Sequence, residues 1–119
     1  MATIKSFTDI EQSKKLAKIL STESADMKIL SFGIDIKRRV VPIDDIAVLN
    51  REDEIPCWSL AALLGVIRET TGYTLYGVNN VYMSCDLGDK HWKLETEVYD
   101  NEIDACYEMV VRLHELKML

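Results

Sequence analysis

Cys57, Cys85, Cys106, His91 and His114 are the side chains with which this chain could do nucleophilic or metal chemistry, and their spacing argues against both. A metal centre gathers Cys, His and carboxylates at short recurring intervals, whereas His91 falls on a predicted strand and His114 on the last predicted helix, neither at ligand spacing from a cysteine. Nucleophilic catalysis needs a Cys or Ser beside a His and an orienting acid, yet each cysteine sits where packing as a small hydrophobe is natural. Three cysteines without a C-x-x-C pair also speak against a disulfide framework. Asp86-Leu87-Gly88-Asp89 has too few alternating oxygen ligands for a calcium loop, and no glycine-rich phosphate loop precedes a helix. Carboxylates crowd residues 86 to 104, but twenty acids in 119 residues bring such neighbours together by chance. No cofactor and no metal are expected.

The residues that do stand out are Tyr73, Leu75 and Tyr82, with His91 and Lys93 beside them. All five are expected on the outer face of a three-stranded meander. Either the N-terminal strand or loop covers this cluster, which is the plainer expectation, or the cluster is an aromatic patch that binds a partner.

The meander that would position them is read from turns and alternation. Asn79-Asn80 suits a two-residue hairpin turn, which pairs Val78 with Val81, Tyr76 with Met83 and Thr74 with Cys85. A four-residue loop at 86–89 then pairs Cys85 with Lys90, Met83 with Trp92 and Val81 with Leu94. That register collects Tyr76, Val78, Val81, Met83, Cys85, Trp92, Leu94 and Val98 on the apolar face.

Two helices are expected to cover that face. Ser59 reads as the N-cap of a central helix over 59–70, with Trp58 placed to pack on Leu63. Leu60, Leu63, Leu64 and Ile67 form its stripe; Ala61, Ala62 and Val66 leave almost no polar face, so burial nearly all round is expected. Gly72 is the expected left-handed terminator, and Gly65 marks an expected close approach to a neighbour. Asp100 or Asn101 should cap a last helix over 101–117, whose stripe is Ile103, Cys106, Met109, Val110, Leu113 and Leu116.

In the first half, Thr8-Asp9-Ile10-Glu11 reads as a capping box opening a helix over 9–20. Alternation of Leu30, Phe32, Ile34 and Ile36 suggests an extra strand over 28–36. Lys37-Arg38-Arg39 reads as a solvated turn or a blunted strand edge, and Val40-Val41 can pair back. Residues 42–55 are the least readable; Pro42 suits a helix N1 position or an ordered loop, with polar Arg51-Glu52-Asp53-Glu54 exposed and Pro56 ending the region.

These elements amount to one α+β domain over 1–119, a two-layer sandwich of meander and helices, long enough to bury a core without metals or disulfides. The formal charge of −6 falls unevenly, −1 over residues 1–59 and −5 over 60–119, a poor surface for nucleic acid. Nothing reads as a signal peptide or a membrane span, and a cytoplasmic location is expected.

The combination of Ile55-Pro56-Cys57-Trp58-Ser59-Leu60-Ala61-Ala62-Leu63-Leu64, a Tyr-containing hairpin and Asn101-Glu102-Ile103-Asp104-Ala105-Cys106 resembles small uncharacterised proteins of gut-bacterial phages, prophages and mobile elements. The likeness covers residues 55–117 best. It implies a bacterial or phage origin and no known activity. A weaker likeness is to the partly degraded RNase H-like fold of HicB-type antitoxins, although a DNA-binding tail and the full strand-helix order are missing. The leading expectation is therefore a non-enzymatic protein that acts through a protein partner or as a homo-oligomer. An enzyme or ligand-binding domain with a site holding His91 and Lys93 is the alternative; an antitoxin-like inhibitor is a third reading.

Overall fold

The computed structural model describes residues 5–32, 35–42, 53–87 and 93–119. Its first helix, α1 (Ile10–Ile19), is opened by a capping box one residue later than Thr8 would put it. Asp9 accepts the Gln12 N–H at 2.8 Å, and Gln12 Oε1 accepts the Asp9 N–H at 3.1 Å. Thr8 is not free for that task. Its hydroxyl oxygen accepts the Trp58 N–H at 3.1 Å and lies 2.7 Å from the Ser13 hydroxyl, while its own N–H donates to the Trp58 carbonyl at 3.0 Å. A buried polar group must find such partners, and Thr8 is buried.

After a 3-10 turn at Thr22–Ser24 come β1 (Met27–Phe32), β2 (Asp35–Pro42) and β3 (Asp53–Cys57), an antiparallel sheet in the order β2-β1-β3. The single strand expected over 28–36 is thus two. Val40 and Val41 do pair back, opposite Ile29 and Lys28, and Lys37-Arg38-Arg39 lies within the edge strand β2. Pro42 ends β2 instead of starting a helix, Asp53–Cys57 is a strand in which Glu54 is exposed as its polar stretch predicts, and the readings of 43–52 lie outside the described residues. Both prolines occupy edge strands, where a missing N–H costs the ladder nothing on its outer side. Lys28, buried, makes an ion pair with Glu54 at 3.2 Å.

The central helix is α2 (Leu60–Thr70), with Ser59 as N-cap as its position predicts. Trp58, Leu63 and Ile67 are fully buried and belong to the main core cluster. The helix nevertheless buries one side and not its circumference: Ala61 is exposed and Leu60, Ala62 and Leu64 are half-buried. It ends in extended Thr71, so Gly72 is no left-handed terminator, and a Cβ on Gly65 would meet nothing within 4 Å.

The second sheet runs β4 (Tyr73–Tyr76), β5 (Tyr82–Asp86), β6 (Lys93–Glu95), antiparallel and in chain order, and α3 (Glu102–Glu115) follows with Asn101 as N-cap. α3 buries Ile103, Ala105, Cys106, Met109, Val110 and Leu113 against α2 and the Met83/Cys85 side of β5. Each large apolar side chain so buried contributes about 1.5–3 kcal/mol. Lys117, at φ 63°, closes α3 with a Schellman pattern in which the Met118 N–H donates to Leu113 and the Lys117 N–H to His114. The α+β arrangement of a three-stranded meander under two helices therefore stands, with a second three-stranded sheet added beside it.

Candidate functional site

Burial has removed the thiols from chemistry. Cys57 and Cys106 are fully enclosed, and desolvation, reinforced by Asp26 in the first case and by Glu102 and Cys85 in the second, pushes each thiol up to about 12. Cys85 rises to about 11 through burial and the nearby Asp86. A thiol held protonated at neutral pH is a poor nucleophile and a poor ligand. His114 is exposed on α3, 3.1 Å from the Leu119 carbonyl oxygen. Among the described residues no group of three His, Cys, Asp or Glu could hold a metal ion.

Two polar knots tie the elements together. Asp104 accepts from Lys5 Nζ, Gln12 Nε2 and Asn101 Nδ2, each at 2.8 Å, which binds the N-terminal segment and α1 to the start of α3. Partial burial alone would raise its carboxyl, but these three donors outweigh that and hold it below the usual carboxylate value. Glu108 accepts the Tyr99 hydroxyl at 2.7 Å and the Glu97 N–H at 2.9 Å, and its other oxygen is in ion-pair contact with Arg112 at 2.8 Å. Desolvation and that hydrogen bond push Tyr99 up to about 12. Each knot is an internal tie of the fold, and in the second Glu108 Oε2 is buried with no hydrogen bond among the described residues, facing Arg112 as an ion pair only. A depression of about 210 Å³ lined by Leu94, Arg112, Glu115 and Leu116 is smaller than ordinary small-molecule pockets, and Lys93 is not part of it.

Among the described residues there is also the face of the second sheet turned away from the helices, and its composition depends on register. The observed pairs are Tyr73–Cys85, Thr74–Ser84, Leu75–Met83 and Tyr76–Tyr82, one residue off the register that an Asn79-Asn80 turn requires. The turn is longer because Gly77, at φ 91°, bends the chain early; a Cβ there would lie 1.9 Å from the Asn80 carbonyl oxygen. A one-residue slip moves every side chain of β4 to the other face. Tyr73 and Leu75 therefore pack against the core, with the Arg68 guanidinium over the Tyr73 ring at 5.9 Å, and the helices cover them instead of an N-terminal strand. In the N-terminal segment, Phe7 bridges Ser59.

The predicted cluster is thus divided. Tyr73 and Leu75 lie on the core side, Tyr82 and Lys93 on the outward side, and His91 lies outside the described residues, as does Trp92. Between β5 and β6 the slip is even, so Leu94 keeps its core-side position opposite Cys85.

The outward face gains Tyr76, which the two-residue turn had assigned to the core. Its ring stacks on Tyr82 with centroids 4.9 Å apart and planes at 17°. Val98 joins them through a bulge: Val81 bridges Tyr99, one residue out of step with the Ser84–Glu95 pair, and the Thr96 hydroxyl accepts the Met83 N–H at 3.0 Å within the irregularity. Antiparallel register carried one step from the Val81–Tyr99 bridge places Val98 opposite Tyr82. Exposure is 41% for Tyr76, 57% for Val98 and 82% for Val78 at the turn. Gly77 was the one sequence signal for this arrangement, since a glycine two residues before Asn79 offers an earlier bend.

No protein-family model, curated protein or solved structure matches this chain.

Proposed function

We propose that this protein works by binding another protein through the outward face of its second sheet, with the stacked Tyr76 and Tyr82 as anchors. The observation that carries the reading is an aromatic stack left partly open to solvent and flanked by exposed Val78 and Val98. Contiguous apolar surface of this kind marks interaction sites, and tyrosine supplies large contact area at low conformational cost. The resemblance over residues 55–117 to small proteins of bacterial phages and mobile elements supports an accessory role of that kind.

Pull-down from the native host with wild-type protein and a Tyr76→Ser/Tyr82→Ser variant tests the reading, with size-exclusion chromatography and light scattering for self-association. A specific partner retained by wild type and lost from a folded variant is the expected result. Unchanged partner capture by the variant sinks it.

A further inference from the structure

Each sheet ends in two edge strands, and β4 is unlike the other three. β2 carries Asp35, Lys37, Arg38, Arg39 and Pro42, and β3 carries Asp53, Glu54 and Pro56. β6 carries Lys93 and Glu95, and the Glu95 carbonyl is taken by Arg112 at 2.8 Å. Charges and prolines are the devices that keep an edge from pairing with another chain. β4 has neither. Residues 71–85 contain no proline and no charged side chain, although 29% of the chain is charged. The ladder shows what this edge offers. The Asp86 N–H donates to the Gly72 carbonyl at 3.3 Å, so Gly72, Thr74 and Tyr76 bond towards β5, and alternation turns the N–H and C=O of Tyr73 and Leu75 outward. Among the described residues no strand meets them.

We infer that β4 pairs antiparallel with β4 of a second copy of this chain, about a twofold axis at Thr74, joining the two three-stranded sheets into one. This inference is independent of the tyrosine face, since backbone groups carry it. The two sheets keep matching faces when the axis passes through a residue, and at Thr74 it sets Tyr73 opposite Leu75, which bonds every outward group of both copies. An axis at Leu75 would need Gly77, which has left the strand at φ 91°, and one at Tyr73 would need the Thr71 N–H, already donated to the Ile67 carbonyl. The side chains suit the same register. Exposed Thr74 meets its own copy, a favourable pair where a charged residue would meet its like, and Tyr76 lies opposite Gly72, which has no side chain in the way.

Light scattering over a concentration series, with Thr74→Lys and Thr74→Glu beside wild type, tests this. Wild type should rise to the mass of two copies, each variant should associate about tenfold or more weakly, and mixing the two variants should restore a dimer of one of each. Thr74→Cys gives a second readout, because the pair at the axis has Cα atoms about 4.5 Å apart, within the reach of a disulfide. Mild oxidation should crosslink it faster than Val78→Cys, also exposed, while the native thiols are buried. A one-copy mass at every concentration, or crosslinking no faster than for Val78→Cys, overturns the pairing. A dimer that survives Thr74→Lys and is lost on Tyr76→Ser/Tyr82→Ser overturns it in favour of the outward face. A one-copy chain whose captured host protein is lost on Thr74→Lys overturns the second copy in favour of a foreign strand. Should the charged variants fail to fold, the crosslinking comparison decides.

Discussion

Along β5, Met83 is sealed under α2 and α3 while its neighbour Tyr82 lies on the opposite face against a partly exposed Tyr76. The two faces share one backbone, and both carry large apolar side chains: Leu75, Met83 and Leu94 on one, Tyr76, Tyr82 and Val98 on the other. Apolar content does not distinguish them. Cover does, because the stripe of α3 from Ile103 to Leu113 has room for one face of the sheet, and the other keeps Tyr76 and Val98 exposed and Tyr82 half-buried, with Ser84 buried among them. The covered face is where stability resides and the bare face is where recognition can reside.

Substitutions can break that distinction. Met83→Ala, on the covered face, should lower unfolding free energy by about 2–5 kcal/mol in chemical denaturation, whereas Tyr82→Ser one residue away should cost less than about 1 kcal/mol, the scale of a cross-strand pair. Equal losses would show that the bare face is structural after all. Gly77→Ala is next in size. Its Cβ would collide with backbone at the turn, and a loss of about 2–3 kcal/mol is expected. If the chain instead relieves the clash by adopting the shorter Asn79-Asn80 turn, Tyr73 and Leu75 will swing outward, and amide exchange across β4 and β5 will report the new register.

Asp104 tests how firmly the covering helix is held. Asp104→Ala should cost about 1–2 kcal/mol at neutral pH, since partly exposed charged hydrogen bonds are lost. Its folded value lies below the ordinary 3.8, so its contribution is complete above that value and is lost as pH falls through the folded value. The difference between wild type and variant should therefore be constant from neutrality down to about pH 5 and shrink below about pH 4, followed by thermal unfolding at each pH. Gly65→Ala is the smallest effect and has the opposite sign. The helical position is open, and a gain of about 0.5–1 kcal/mol in thermal or denaturant unfolding is expected, without change in partner binding on the bare face.

Helix boundaries were legible because their signals are local. Ser59 and Asn101 cap the helices that their positions predict, each side chain accepting the amide three residues on. The capping box of α1 slipped by one because Thr8 answers to Trp58, fifty residues away, and no local pattern announces that demand. Register was less legible for the same reason. Asn79-Asn80 is a good turn in isolation, but Gly77 provides an earlier bend, and choosing between them decides which of Tyr73 and Tyr76 faces the helices. The outward face of the sheet thus takes Tyr76 from β4, where the two-residue turn would have supplied Tyr73 and Leu75. The bulge that turns Val98 outward depends on the Thr96 hydroxyl replacing a ladder acceptor, an option that alternation of residue types does not reveal.

The contacts of the N-terminal segment also order events in time. Thr8 is secured by Trp58, fifty residues later, and Lys5 and Gln12 by Asp104, at separations of 99 and 92 residues. Closing such long loops is entropically unfavourable and slow to nucleate, whereas the β4–β5 hairpin closes locally. On a ribosome α1 can first be tied down when Trp58 and β3 have emerged, and its contacts through Lys5 and Gln12 wait until Asp104 has followed. The last of its ties, to Asp104, therefore forms only after the second sheet has been made, although that helix is made first.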